Sequence, residues 1–498
     1  MKRAPLIAAL LGATTVLGFA PFQLFPLPVF TLAALALLWQ RAARRGAAAL
    51  LGFCFGLGEF LAGVSWVYVS LHDFGAMPAL LAVPLTLLFC TYLALYPALV
   101  GLIYHMLGAR TAFATLAALP ALWTLAEWLR GTLFTGFPWI ELGYAQVPAS
   151  GLAGFVPLLG VHGATLLTAA SAAVIVYAVN KHARQSYWIG GTVLLTVWLG
   201  GWLLKQIEWT QPAGKPITVS LIQGNVPQEM KWRADEVTAT FDGYRQLVAA
   251  TDADLVVLPE TALPLFLQQI PTDYLEDLAA HVRAHHGDIL IGIPEHGEGN
   301  DYYNSMLSFG TAPTQTYRKS HLVPFGEFVP LRPLFGWFFE VTQIPLGDFA
   351  RGTSAPQPLA VAGQQVAVNI CYEDAFGAEI IRQLPRATLL VNASNVAWFG
   401  HSIAPRQHLQ ISQARALETG RFMLRATNTG MTAIVDPHGQ VRQAAPEFTS
   451  AIVTGEVHGY TGATPYVRYG DAPVIVFASA LILAAIWLAL RKTAKIRD

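Results

Sequence analysis

Val366-Ala-Val-Asn-Ile-Cys371-Tyr-Glu373-Asp374 sets a thiol and two carboxylates at the end of a short, apolar, β-rich run. The ends of buried strands are where α/β sheets hold functional groups rigidly while leaving them accessible. This stretch therefore predicts a layered α/β domain with chemistry at its edge. The chain has 3 cysteines, too few and too unevenly placed for a disulfide framework. Cys54 and Cys90 lie inside apolar runs, where a thiol usually behaves as a small hydrophobe. Cys371 stands alone in the polar part of the chain, which points to a working thiol.

Similar runs surround it at Ile217–Ile222, Asp254–Pro259, Asp288–Ile293, Asn304–Phe309, Gln365–Tyr372, Thr388–Asn392, Phe422–Thr427 and Met431–Val435. Helical patterns fall between several of them, notably Tyr274–His285 and Pro405–Glu418, and Asp436-Pro-His-Gly439 signals a hairpin. Strands mixed with helices predict one α/β sandwich over residues 212–460.

Two further stretches carry chemistry. Val256-Val-Leu-Pro-Glu260-Thr puts a carboxylate where a buried strand ends, and Tyr317-Arg-Lys319-Ser-His321-Leu-Val-Pro-Phe-Gly-Glu327 puts charged groups before a Pro/Gly loop. Taken singly, Glu260 reads as a capping residue and Lys319 as a solvated lysine; the three in this order are far more specific. A cysteine has a free pKa of about 8.5 and needs a base or a nearby cation to react at neutral pH. A carboxylate at Glu260 can take the thiol proton and return it to a leaving group. An ammonium at Lys319 can stabilise the thiolate and a tetrahedral oxyanion. These groups suffice for acyl transfer through a thioester without metal or cofactor. His296, His321, His401 and His408 show no zinc-type spacing and read as structural or as supports behind the site.

The rest of the chain is unlike a soluble enzyme. Only 12% of its 498 residues are charged, where soluble proteins run nearer about 25%. The formal net charge is zero, which gives no electrostatic case for nucleic acid. Residues 1–205 are a procession of apolar stretches, read as a seven-helix transmembrane region with spans near 5–20, 24–40, 47–70, 79–107, 112–130, 155–180 and 186–204. An eighth span covers 472–491. A helix of about 20 residues crosses the hydrocarbon core. Lys2, Arg3, Arg41, Arg44, Arg45, Arg110, Lys181, Arg184 and the basic tail after Leu490 flank alternate loops. By the positive-inside rule both termini are expected in the cytoplasm and the domain after residue 205 on the far side.

With these motifs on the page, the chain resembles the bacterial apolipoprotein N-acyltransferases, membrane-spanning members of the nitrilase (carbon–nitrogen hydrolase) superfamily. The resemblance covers nearly the whole chain. It rests on Gly136-Phe-Pro-Trp139, Leu258-Pro-Glu-Thr261, His321-Leu-Val-Pro-Phe-Gly-Glu-Phe-Val-Pro330, Cys371-Tyr-Glu373, Ala397-Trp-Phe-Gly400 and Arg425-Ala-Thr-Asn428 with Gly430. It implies an αββα sandwich with Glu260 as general base, Lys319 as oxyanion stabiliser and Cys371 as nucleophile. Glu327, Tyr372 and Glu373 are implied in supporting roles near the thiol. Val396 departs from the pattern, where an acidic residue is expected. The implied donor is phosphatidylethanolamine, the implied acceptor the α-amine of a diacylglyceryl-cysteine lipoprotein, and the setting the bacterial inner membrane, with a monomer expected.

Two apolar loops fit a lipid substrate: Ala262-Leu-Pro-Leu-Phe-Leu267 after Glu260, and Phe328 to Phe339, containing Trp337, after Glu327. They read as arms that dip into the outer leaflet, or alternatively as part of the domain's own core. Trp139 and Tyr144 suit the headgroup region, and Trp139 and Trp337 are candidates for substrate binding. Glu59 lies inside the third span, where a charge is costly. Glu127 and Arg130, three apart, are expected to pair on one helix face. The rival readings are a membrane-tethered amidase or nitrilase-type hydrolase, and a non-catalytic lipid-binding scaffold.

Overall fold

The structure, a computed structural model, describes residues 3–229, 231, 234–299, 301–330, 333 and 348–497. The chain divides into two compact units, one within Met1–Tyr68, Ala79–Glu208 and Arg468–Asp498, the other within Val69–Pro78 and Trp209–Val467.

The first unit is helical. Its apolar stretches form helices at Ala4–Thr15, Leu27–Arg41, Arg45–Gly63, Ala79–Met106, Leu119–Arg130, Val156–Lys181, Arg184–Leu204 and Ala472–Arg497. Among the described residues, five helices are long and apolar enough to cross a membrane: Arg45–Gly63, Ala79–Met106, Gly151–Lys181, Arg184–Leu204 and Ala472–Arg491. Their surfaces expose large apolar side chains such as Leu80, Leu88, Trp188, Leu195, Phe477 and Leu483, a pattern that water would penalise and hydrocarbon does not. The stretch expected as one span at 112–130 is instead a π-helical turn, Ala114–Ala118, running into the short helix Leu119–Arg130. Pro120 stands at that junction, where its missing N–H removes a helical hydrogen bond. Small residues let the helices approach closely. A Cβ on Gly12 would lie 1.9 Å from the Phe55 carbonyl oxygen, and one on Gly58 2.0 Å from that of Ala9.

The second unit is built on two six-stranded mixed sheets. The strands are β1 (Thr210–Gln223), β2 (Leu255–Val257), β3 (Asp288–His296), β4 (Tyr302–Gly310), β5 (Thr316–Arg318), β6 (Leu359–Val361), β7 (Gln364–Ile370), β8 (Leu389–Ser394), β9 (Met423–Thr427), β10 (Ala433–Val435), β11 (Val441–Ala444) and β12 (Ala451–Gly462). One sheet runs β12-β1-β2-β3-β4-β5, the other β11-β10-β9-β8-β7-β6. Strand alternation sorts side chains between layers. Val366, Val368 and Ile370 of β7 face Leu221, Leu255, Val257 and Leu290 of the other sheet in one shared core. Val256 and Leu258 turn the opposite way, onto the helices Ala234–Ala249 and Thr272–Ala284. Ala367, Leu390 and Met423 turn onto the helix Ala404–Thr419. The result is the αββα sandwich that the sequence predicts.

Several elements exceed the sequence reading. The strand β12 and the helix Ala234–Ala249 carry no strong signal. The strand is interrupted by Gly455 and Gly459 and is mostly half-exposed; its pairing with β1 from Thr210 to Gln223 fixes it. The hairpin at Asp436 is present, with Asp436 Oδ1 accepting from the His438 and Gln440 N–H groups at 2.9 Å each.

Candidate active site

Glu260, Lys319 and Cys371 follow β2, β5 and β7 respectively, so three strand ends converge on one place. Lys319 is 1% exposed, and its ammonium bridges two carboxylates, donating to Glu327 Oε1 at 2.9 Å and Glu260 Oε1 at 3.3 Å. Asn304 of β4 donates to the same two oxygens at 3.0 and 2.7 Å. The remaining oxygen of Glu260 accepts the Asn395 N–H at 2.8 Å, and Glu327 Oε2 accepts the Val323 N–H at 2.8 Å. Both carboxylates are thus locked in orientation.

Cys371 begins a short 3₁₀ turn, Cys371–Ala375, with φ of 55°. A non-glycine residue in this left-handed region costs about 1–2 kcal/mol; here it lifts the side chain out of the strand's alternation. The residue is half-buried. Burial and then the adjacent Glu260 charge push the thiol well above its ordinary value, against the opposing pull of Lys319. Burial also acts to raise Glu260, but Lys319, Asn304 and Asn395 outweigh it and hold its carboxyl below the ordinary carboxylate range. At rest the pair is therefore a neutral thiol beside an ionised carboxylate rather than a thiolate stabilised in advance by Lys319. Such a pair can pass the proton from sulfur to carboxylate as the sulfur attacks a carbonyl.

Glu373 ties two of the strand ends together. Its Oε1 accepts from Ser320 N at 2.7 Å, Ser320 Oγ at 2.9 Å and His321 N at 3.0 Å, while Oε2 accepts from Tyr317 Oη and Ile370 N at 2.7 Å each. The segments carrying Lys319 and Cys371 are thereby pinned to each other. Tyr372 is buried and packs edge-on against Phe376. Beneath the thiol, Asn392 donates to the Cys371 carbonyl at 3.0 Å and accepts from Arg425 at 2.6 Å. Arg425 also meets Asp374 at 3.3 Å, which in turn contacts His408 at 2.7 Å.

Several participants escape sequence reasoning. Asn304, Asn392 and Asn395 look like ordinary strand and turn residues. Lys231 is also drawn in, 3% exposed, with its ammonium 3.5 Å from the Glu260 main-chain oxygen. The turn Val396–Phe399 that follows Asn395 is braced by the segment Val69–Pro78, where Ser70 donates to the Trp398 carbonyl at 2.8 Å and Phe74 meets its ring edge-on. Val396 itself is buried.

Other expectations change. Ala262 and Leu263 belong to the core between sheet and helices, and Leu265 and Leu267 pack against it, while Phe266 stacks on His296. This loop is part of the domain interior and not an arm. Of the second apolar loop, Phe328 and Val329 are half-buried and buried; most of it, including Trp337, lies outside the described residues. Trp139 is buried in the helical unit, stacked on Phe137 and tilted against Trp66. Glu127 and Arg130 take separate partners: Glu127 accepts from Trp123, Leu142 N and Thr165 at 2.8, 3.0 and 2.7 Å. Arg130 donates to the Phe137 and Trp139 carbonyls at 2.7 Å each. Glu59 is buried beside both, lining a cavity of about 20 Å³, room for about one water. Among the described residues, His281, His285 and Asp252 form a surface group with ligand atoms within 4.8 Å of one another, on elements separate from the thiol.

Comparison with known proteins adds two family matches: "Apolipoprotein N-acyltransferase N-terminal domain" over residues 11–174 and "Carbon-nitrogen hydrolase" over residues 218–466. The chain is 57% identical over 481 residues to an apolipoprotein N-acyltransferase of Nitrosomonas europaea, covering 96% of each chain. It is 47% identical to one from Chromobacterium violaceum, covering 98% of this chain and 94% of that one. A third, from Ralstonia nicotianae, is 45% identical over 96% of this chain and 92% of its own.

Proposed function

Since the chain belongs to the apolipoprotein N-acyltransferase family, an acyltransferase family, we propose that it works by a ping-pong reaction through a thioester on Cys371. The observation that carries this reading is the Cys371 thiol beside the carboxylate of Glu260, which Lys319, Asn304 and Asn395 hold in place.

In the first half, Cys371 sulfur attacks the acyl ester carbon of a phospholipid, phosphatidylethanolamine by the likeness to its relatives. Glu260 takes the thiol proton, Lys319 stabilises the oxyanion, and the ester C–O bond breaks. Glu260 then protonates the departing lysophospholipid, leaving the thioester. In the second half, the free α-amine of a diacylglyceryl-cysteine lipoprotein attacks that thioester. Glu260 accepts the amine proton, the C–S bond breaks, and the thiol is restored as the amide forms. The donor ester supplies the energy, so the scheme calls on no nucleotide or coenzyme.

The buried Lys319 suits this role because it is clamped by two carboxylates and cannot drift as charge develops. Glu327 and Glu373 act as positioning residues. The setting we favour is a monomer in the inner membrane, with both termini cytoplasmic and the α/β unit periplasmic, as the distribution of Lys and Arg suggests. Trp337 is kept as a candidate for lipid contact, while the buried Trp139 is assigned a packing role.

Product analysis tests the reading. Purified protein given phosphatidylethanolamine and a diacylated lipopeptide should yield lysophospholipid and N-acylated lipopeptide in equal amounts. Free fatty acid without N-acylation would instead assign a membrane-tethered hydrolase.

A further inference from the structure

We propose that Lys231 is a further charged member of the catalytic centre, a buried ammonium that offsets the negative charge gathered around Cys371. The inference rests on the thioester reading above for the identity of the reaction, and on separate observations for the role of the residue.

The first observation is how the lysine is delivered. Residues Gly224 to Glu229 leave β1 as a loop fastened across the site, and Lys231 stands just beyond it. Asn225 N donates to the Asn428 carbonyl at 2.8 Å, and Val226 N to Asn428 Oδ1 at 2.9 Å. Asn428 Nδ2 donates back to the Val226 carbonyl at 2.7 Å. Gln228 Oε1 accepts from Asn395 Nδ2 at 2.8 Å, and the main chain of Asn395 is what orients Glu260. The loop is thus joined to the residue that aims the base.

The second observation is the state of its ammonium. A buried cation is costly unless a partner compensates it. Lys319 lies between Glu260 and Glu327, and Arg425 meets Asp374. Lys231 is as buried, yet among the described residues no carboxylate lies within ion-pair distance. Its hydrogen bond is the long contact to the Glu260 main-chain oxygen. Burial lowers it to about 8, with the charges of Glu260 and Cys371 acting to raise it. The lysine therefore retains donor capacity and faces the reacting pair.

The third observation is the charge around the thiol. Glu260, Glu327, Glu373 and Asp374 face Lys319 and Arg425, and burial lowers His408 toward its neutral form. Without Lys231 the carboxylates outnumber the cations by two; with it, by one. As the thiol proton passes to Glu260, negative charge moves onto sulfur and then onto the acyl oxygen. Lys231 stabilises that displaced charge and transfers no proton.

The test is alkylation of Cys371 by iodoacetamide in the full-length protein in detergent, followed on the Cys371 peptide by mass spectrometry from pH 6 to 10. Lys231→Gln keeps a donor for the Glu260 carbonyl and removes the charge; Lys231→Met is the second neutral variant should Gln fail to fold. At pH 7 the neutral variant should react about tenfold more slowly than the wild type, one pH unit of thiolate population. The gap should close above about pH 9, where Lys231 has lost its proton in the wild type, and Lys231→Arg should stay close to wild type at pH 7. A folded neutral variant that matches the wild type at pH 7 overturns the proposal. So does a deficit that persists unchanged to pH 10, or an arginine variant as slow as the neutral one. Because alkylation needs no lipid, these outcomes stand apart from the acyl-transfer reading, which fails instead if the wild type makes no acyl product.

Discussion

Glu127 in the helical unit and Glu260 in the α/β unit are both buried carboxylates with three hydrogen-bond donors each, yet the proposed mechanism gives them different work. The donors of Glu127 come from a tryptophan, a main-chain N–H and a threonine; they tie a helix to its neighbours. Those of Glu260 include an ammonium shared with a second carboxylate, and a thiol lies against its remaining face. Counting satisfied hydrogen bonds does not separate a structural charge from a chemical one. The neighbour that can give up a proton does.

Substitutions sharpen this contrast. Glu260→Gln should cut thioester formation by about 10³-fold, within the range expected on removing a general base, with a smaller loss of thermal stability, because the ionised carboxylate is itself stabilising. Rapid-quench single turnover reads the rate. Lowered melting with acylation intact would move Glu260 into the class of Glu127. Glu373→Ala leaves five donors without their acceptor and should cost about 3–5 kcal/mol of stability, read by chemical denaturation in detergent, with slower acylation. Glu127→Leu should cost about 2 kcal/mol, with Cys371 alkylation in the folded protein unchanged. A large change in alkylation there would break the comparison.

The smallest expected effect is in acid. The folded-state values of Glu260 and Asp374 are both held below the ordinary range. Each therefore contributes stability that is present above the unfolded carboxylate value of about 4 and lost as pH falls through the lower folded value. Melting temperature should hold flat from pH 7 to about pH 5 and decline below about pH 4. A decline that begins near pH 6 would contradict the assigned directions.

Much of this was legible because strand ends announce themselves. Glu260 and Cys371 each close a run of β-forming residues, whereas the strand before Lys319 is only three residues long, Thr316–Arg318, and that lysine stood out by its motif instead. Long apolar stretches were equally plain. What stayed hidden depends on contacts distant in sequence. Asn395 and Asn304 matter only because folding carries them to a carboxylate 135 and 44 positions away. Lys231 sits in a polar loop and reads as solvated until β1 and the Asn428 turn are placed together. The Ala262–Leu267 loop misled because apolar composition does not distinguish a membrane-facing arm from a core segment. Leu263, fully buried, belongs to the second kind. The expected Glu127–Arg130 pair failed because main-chain groups released by the turn at Phe137 and Leu142 claimed both side chains.

The central claim is a covalent acyl-enzyme on Cys371, and intact mass tests it most directly. Wild-type protein incubated with phosphatidylethanolamine and no acceptor should gain the mass of one acyl chain. Hydroxylamine should remove it, and Cys371→Ala should never show it. Unmodified wild-type protein under well-dispersed lipid, or an adduct that survives in the alanine variant, would contradict the account.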